Sequence, residues 1–433
     1  MAEHGSTTRR DMLRLGLLAL PAAALLRGSA AAQDFVDVPI VPDAARTDPL
    51  HAFWERIPDE FPLDANTRHF NTAGLGIAPL AVLERTHAAA VRAATEGDPM
   101  RGRLDEARMR LGQYLHARPE EIALVRNATE AMNIVARGLE VRPGDEIVLT
   151  THEHPGGAAP WVALHQDAGV TLRLVEPQLD PAADLESIWA QVNKRTRAIV
   201  LSHVLCTVGA VMPVEAVAAE ARRRGIWCIV DGAQAAGVLP LDLEALGADC
   251  YLASGHKWLL GPVETGFLWV RQERLAELRT RFAGVHSVDA AGWDLDAGRL
   301  DFLTVASRYE YGTRSPSQPA GLVAALDWVE ALGPALVRTR SLALAQRFRA
   351  GIEGLPGIEV LTPPAAVQQV PIVTFRVTRR PNAQVVDWLW TELRMRLRLV
   401  PDRGLNGVRA SFHVVNRVPD VDWLIEAVRT LGA

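Results

Sequence analysis

The chain of 433 residues is 48% hydrophobic, long enough to bury a large core and to form two domains. A formal net charge of −5 and a pI near 6.2 leave no basic footprint for nucleic acid. Three cysteines, Cys206, Cys228 and Cys250, make no CxxC pair and no disulfide-dense framework.

The first elements belong to targeting rather than to the fold. TTRRDMLRLGLLALPAAALLRGSAAAQ carries twin arginines (Arg9, Arg10), a short apolar stretch, and small residues ending in Ala30, Ala31 and Ala32. That order is a charged n-region, an h-region and an A-x-A-like cleavage site, so residues 1–32 read as a signal peptide rather than a membrane span. Met12, Leu13 and Arg14 after the arginine pair resemble the bacterial twin-arginine (Tat) export signal, with an ordinary Sec signal as the alternative. The expectation is a folded protein passed to the Tat machinery and released into the periplasm, with no stable membrane span. Residues 33–65 are proline- and aspartate-rich and read as an extended arm leading into a short helix.

From residue 66 onward, short apolar strands alternate with amphipathic helices. IALV (122–125) precedes a helix at 128–138, EIVLT (146–150) one at 157–168, and TLRLVEP (171–177) the segment DLESIWAQV. AIVLSHV (198–204) precedes VEAVAAEARRRG, and WCIVDGAQ (227–234), DCYLAS (249–254) and GFLWVR (266–271) follow. Apolar throughout and alternating with helices, these runs predict βαβ units in a mainly parallel sheet covered on both faces. Cys228 and Cys250 then read as small buried hydrophobes. Near residue 315 the pattern changes. A long helix from SQPAGLVAALDWVEALG, a helix at 337–354, the strand PIVTFRV (371–377), a helix at 383–397, the strand VRASFHVV (408–415) and a last helix VDWLIEAVRTLG predict a smaller α+β domain over 315–433. The fold class is therefore α/β, with a large domain over 66–314.

Active sites of open α/β sheets lie at the carboxyl ends of the strands, and four strand ends carry unusual chemistry. In RNATEAMN (126–133), Asn127, Ala128 and Thr129 open a helix whose free N–H groups and dipole suit a phosphate, though Asn and Thr are also ordinary N-caps. THEHPGG (151–157) offers His152, Glu153 and His154, either as a metal cluster or with His154 stacked on a planar ligand; ligand spacing for a metal is lacking elsewhere. Asp231 in VDGAQAAG ends an apolar strand, where a carboxylate needs a cationic partner, and Gln234 reaches the same place. Lys257 in GHKW, beside His256, is a lysine placed where burial would lower its proton affinity and make it a nucleophile. A phosphate cradle, a ring stacker, a carboxylate for a ring nitrogen and a nucleophilic lysine together match pyridoxal 5′-phosphate (PLP).

The chain resembles the fold-type I PLP enzymes of the aminotransferase class V family, which includes cysteine desulfurases and isopenicillin-N-epimerase-like proteins, over nearly all of 66–433. The resemblance implies that Ala128, Thr129 and His256 bind the phosphate and that His154 stacks on the ring. It also implies that Asp231 contacts the pyridine nitrogen, Gln234 the ring hydroxyl, and that Lys257 is the Schiff-base lysine. EYGTRS (310–315) is similar to the turn from which Thr313 would reach the phosphate of a neighbouring subunit, which implies a homodimer with shared sites. Arg409 would clamp a substrate α-carboxylate, with Asn71 as a second substrate contact.

Two departures narrow the function. RLVPDRGLNG (398–407) lacks the catalytic cysteine that desulfurases carry ahead of that arginine, so desulfuration is not expected. Cys206 in HVLCTVGAV stands where many relatives place an asparagine near the ring hydroxyl, so it is either a weak cofactor contact or a buried small residue. The reading is a periplasmic, PLP-dependent enzyme acting at the Cα of an amino acid or amino-acid-containing metabolite, with Lys257 moving the proton. Transaminase chemistry stands first, since one lysine can serve both carbons. An epimerase is the alternative and needs a second acid, for which Tyr309, Tyr311 and His413 are candidates. A PLP-fold binding protein without catalysis and a metal-dependent hydrolase are the rivals from other classes.

Overall fold

The computed structural model describes residues 49–64, 66–97, 100–367 and 369–432. The signal-peptide residues lie outside the described residues. Seven strands form the central sheet: β1 (Ile122–Val125), β2 (Glu146–Thr150), β3 (Thr171–Val175), β4 (Thr196–Ser202), β5 (Trp227–Asp231), β6 (Cys250–Ser254) and β7 (Gly266–Val270). Their order is β1-β7-β6-β5-β4-β2-β3, and only β7 runs against its neighbours. The chain is thus α/β with a large, mostly parallel sheet, as its apolar strand runs predicted.

The reversal of β7 has a local cause. Parallel neighbours need a crossover of a dozen or more residues, normally a helix. Only residues 255–265 join β6 to β7, and they contain no helix, so the chain turns straight back. That turn is where GHKW sits.

Burial follows the strand pattern. β1, β2, β5, β6 and β7 are buried along their whole length, whereas edge strand β3 exposes Thr171 and Leu174. One apolar layer below the sheet joins Leu124, Val148, Ile199, Val230 and Phe267 to Leu104, Leu111 and Leu115. The other joins Ile147, Val200, Ile229 and Leu268 to Trp161 and to Met132 and Val135 of the helix Ala128–Gly138.

Two helices without a counterpart in the sequence reading, Leu80–Glu96 and Met100–Leu115, precede β1. Both pack on the helix Ser317–Leu332, whose Leu322, Val323 and Leu326 enter the core beneath the sheet. That helix is apolar over most of its surface and largely buried, with Asp327 and Glu330 on its exposed side. A four-stranded antiparallel sheet follows, ordered Ile358–Val360, Ile372–Val377, Gly407–Ser411, Arg398–Val400. The rings of Phe348, Phe375 and Phe412 pack at its centre.

The helix expected over 383–397 ends at Leu393, where Arg394 takes a left-handed conformation (φ 53°). From there the sequence alternates Leu393-Arg394-Met395-Arg396-Leu397-Arg398-Leu399, a period of two that suits strand and not helix. Met395–Arg396 accordingly pairs with Arg68–His69, and Arg398–Val400 pairs with Gly407–Val408 and Arg409. A hairpin of Val288–Asp294 and Arg299–Phe302 is also present where no element was expected. Among the described residues no single helix is long and apolar enough to cross a membrane.

Candidate active site

At the carboxyl ends of the parallel strands lies a cavity of about 390 Å³. Ala128, Thr129, His154, Cys206, Asp231, Gln234, His256 and Lys257 all line it, brought from five strand ends. The lysine is one of only two in the chain; the other, Lys194, is exposed in the turn before β4.

The cradle end is built by the start of the helix Ala128–Gly138. Asn127 caps it by accepting the Glu130 N–H at 2.9 Å, and the Ser254 hydroxyl at the end of β6 accepts the Ala128 N–H at 3.1 Å. The Thr129 hydroxyl points toward Gly156: a Cβ on Gly156 would stand 2.2 Å from its Oγ1. Glycine there keeps the hydroxyl's place open. His256 adds a buried Nδ1 that has no hydrogen-bond partner among the described residues. A helix N-terminus, two hydroxyls and an unanswered imidazole nitrogen make a fitting donor set for a phosphate.

Asp231 sits deeper. Its Oδ1 accepts the Ala233 N–H at 2.9 Å, while Oδ2 faces the cavity across Gly157, where a Cβ would come within 3.1 Å. Burial pushes the Asp231 carboxyl up and the Lys257 amine down, and the opposite charge of each partner works against that shift in the other. A cationic ring nitrogen at Oδ2 would hold the carboxylate ionised. Gln234 is fixed on both sides: its Nε2 donates to Ala73 O and its Oε1 accepts the Trp258 Nε1–H, each at 2.8 Å. One amide hydrogen remains for a ligand.

His154 caps the helix Pro155–Ala168 through Nδ1, which accepts the Gly156 N–H at 3.0 Å. Its pKa falls to about 4, chiefly from burial and then from Lys257, Arg398 and Arg409, so the ring is neutral and carries its hydrogen on Nε2. A neutral plane is suited to covering an aromatic ligand. The loop holding Lys257 is packed tightly from outside: Gly76 N–H donates to His256 O at 2.8 Å, and a Cβ on Gly76 would meet Lys257 O at 2.1 Å.

Three predicted residues stand outside this lining. Arg409, fully buried, donates from Nη1 to Cys206 O at 2.6 Å and from Nη2 to Asn71 Oδ1 at 3.3 Å, so Asn71 helps orient the guanidinium. Burial lowers the Arg409 pKa to about 10, which leaves it a cation. Thr313 lines a neighbouring cavity of about 210 Å³ with Arg126, Gly266 and Gln318. The candidate second acids are elsewhere as well. Tyr309 donates to Leu278 O at 2.8 Å, Tyr311 lies against Phe282, and His413 is buried against Trp258; none lines the cavity.

The hydrolase cluster is dispersed. His152 bonds Thr207 Oγ1 and Glu176, and Glu153 accepts from the hydroxyls of Thr150 and Ser202, while His154 turns into the cavity. Among the described residues no three His, Cys, Asp or Glu side chains converge as a metal ion requires. The sequence reading missed Ser254, the paired glycines Gly156 and Gly157, and Arg398, which lines the cavity beside Lys257. The alternating arginines of 394–398 were the available signal for the last.

Residues 82–424 match the family described as aminotransferase class-V. The chain belongs to that family. Isopenicillin N epimerase of Amycolatopsis lactamdurans is 33% identical over 394 residues, covering 88% of this chain and 98% of that one. A probable cysteine desulfurase of Pseudomonas aeruginosa is 36% identical over 265 residues, covering 60% and 65%. Among solved structures, a lysine-to-alanine mutant of C-DES with glycine covalently linked to the PLP cofactor aligns with a TM-score of 0.78 at 29% identity, covering 86% of this chain and 98% of that one. The cofactor of this class-V chain is PLP, and the residues around the cavity fit it.

Proposed function

We propose that this class-V enzyme removes the α-proton of an amino acid or amino-acid-containing metabolite and returns it to Cα, an epimerase-type outcome. The observation that carries the α-proton step is a single cavity lined by Lys257, Asp231 and the Thr129–Ser254–His256 phosphate cradle. The epimerase outcome moves ahead of the transaminase one on the near full-length likeness to isopenicillin N epimerase. PLP, when bound, supplies an electron sink for the bonds at a substrate's Cα.

The chain's own groups supply the rest. The Lys257 amine, its proton affinity lowered by burial, would hold the cofactor through its aldehyde and is the base placed to take an α-proton at Nζ. Asp231 Oδ2 would hold the cofactor's ring nitrogen in its protonated form. Arg409 orients the substrate carboxylate. Return of a proton from the other side needs a second donor, and His154 Nε2–H and the Cys206 thiol both line the cavity.

Desulfuration is set aside because residues 398–407 contain no cysteine. Export to the periplasm as a homodimer belongs to the same proposal and rests on Arg9 and Arg10 and on the Thr313 turn. Fractionation of cells making the full chain should find it in the periplasm, and Arg9→Lys with Arg10→Lys should hold it in the cytoplasm. The reaction is tested by incubating the holoenzyme with L-amino acids in D₂O, followed by chiral chromatography and mass spectrometry. Deuterium at Cα in both enantiomers supports the proposal. A keto acid with loss of the cofactor's aldehyde absorption would assign a transaminase instead, and sulfide from cysteine a desulfurase.

A further inference from the structure

Arg398, which lines the cavity, stands beside Arg409, which lies outside that lining. Arg398 and Arg409 are direct cross-strand partners in the antiparallel pair at the edge of the small sheet. Such partners stand about 4.5–5.5 Å apart at Cβ, and like charges placed so repel. Arg398 is one of the forces that lower the Arg409 pKa.

A pair of cations is retained at such a place when something anionic answers both. Asp402 supplies part of that answer: its Oδ2 is ion-paired with Arg398 Nη2 at 4.0 Å and its charge also acts on Arg409, but at that distance it makes no hydrogen bond to Arg398. Asp231, the one carboxylate lining the cavity, faces Gly157 and the place of the ring nitrogen. The phosphate has its own cradle at Thr129, Ser254 and His256. An anion that hydrogen-bonds Arg398 is left to the substrate, and one α-carboxylate answers one guanidinium.

We propose that Arg398 is a specificity-determining residue that binds a second carboxylate, carried on the side chain or the peptide tail of the amino-acid substrate. The inference rests on the reading that the cavity accepts amino acids. Arg409 is anchored by Cys206 O and Asn71 and is fully buried, so it is held for the α-carboxylate that every amino acid carries. Arg398 is about a quarter exposed at the side chain and lines the cavity, so its guanidinium is open to a variable group of the substrate. A planar guanidinium can take a carboxylate through two parallel N–H bonds, which a lysine cannot.

The test is titration of the PLP-loaded enzyme with the near-isosteric pairs glutamate and glutamine, and aspartate and asparagine, read by the change in cofactor absorption. The acidic member should bind about 10- to 100-fold more tightly, as expected of one charge-assisted carboxylate bond. Arg398→Gln should bring the two members of each pair to within roughly threefold, and Arg398→Glu should turn the preference toward ornithine. The unliganded cofactor spectrum of each variant checks its fold. Equal binding of acidic and neutral members by the natural enzyme overturns the inference and leaves the proposed function standing. Equal weakening of both members by Arg398→Gln also overturns it, because the arginine would then share the α-carboxylate or merely support the loop. If no amino acid alters the spectrum, the proposed function falls and the inference with it.

Discussion

Glu153 is the residue whose behaviour departs furthest from its sequence appearance. Burial raises its carboxyl to about 7, although Thr150, Ser202 N–H and the Ser202 hydroxyl all favour the charged form. An unfolded glutamate ionises near 4.5. Between those values the native state keeps a proton that the unfolded chain has lost, so stability falls as pH rises through that window. Glutamine reproduces the neutral form, with its N–H donating to Ser202 Oγ. Glu153→Gln should therefore gain on the natural protein by on the order of 2–3 kcal/mol between pH 4.5 and 7.5, measured by denaturant unfolding of the holoenzyme at each pH. Parallel curves would show that Glu153 is ionised throughout. At this scale Lys257, Asp231, His154 and Gln234 could be named from strand-end position because their chemistry needs a cofactor partner. Glu153 could not, since it serves a neighbouring residue through space and leaves no pattern along the chain.

At the level of elements, the two glycines after His154 decide whether helix and cofactor can share one strand end. The helix Pro155–Ala168 starts directly against Thr129 and Asp231, and any side chain at 156 would occupy the hydroxyl's position. Gly156→Ala should lower PLP affinity by about 10-fold or more while the melting temperature of the apoprotein changes little, since the displaced group is a short side chain rather than backbone. Spectroscopic titration with PLP checks this, and unchanged affinity would remove Thr129 from the cradle. The parallel strands were legible because an apolar run between amphipathic segments has few other solutions. The end of the helix at Leu393 was legible too, in the alternation from 393 to 399, but a helical pattern in VVDWLW immediately before it masks the change of period. The hairpin 288–302 carries exposed Trp293, Leu295 and Leu300, so it shows no buried alternation from which a strand could be read.

For the whole molecule, the question is which residues complete the site from outside one chain. Thr313 lines a cavity beside Arg126 and Gly266 and not the one around Lys257, so a role in the site would need a second copy of the chain. Mixing Lys257→Ala with Thr313→Ala chains should restore roughly one working site per hybrid dimer. No recovery above either parent would mean that the sites are not shared. The scarcity of lysine makes the Schiff-base assignment directly testable. Of 46 lysines and arginines only Lys194 and Lys257 are lysines, and Lys194 is exposed on a turn. Borohydride reduction of the PLP-loaded protein fixes the cofactor to whichever amine bonds its aldehyde, and peptide mapping locates it. One pyridoxyl group should appear on Lys257 and be absent from Lys257→Ala. Label on Lys194, or equal label in the variant, would contradict it.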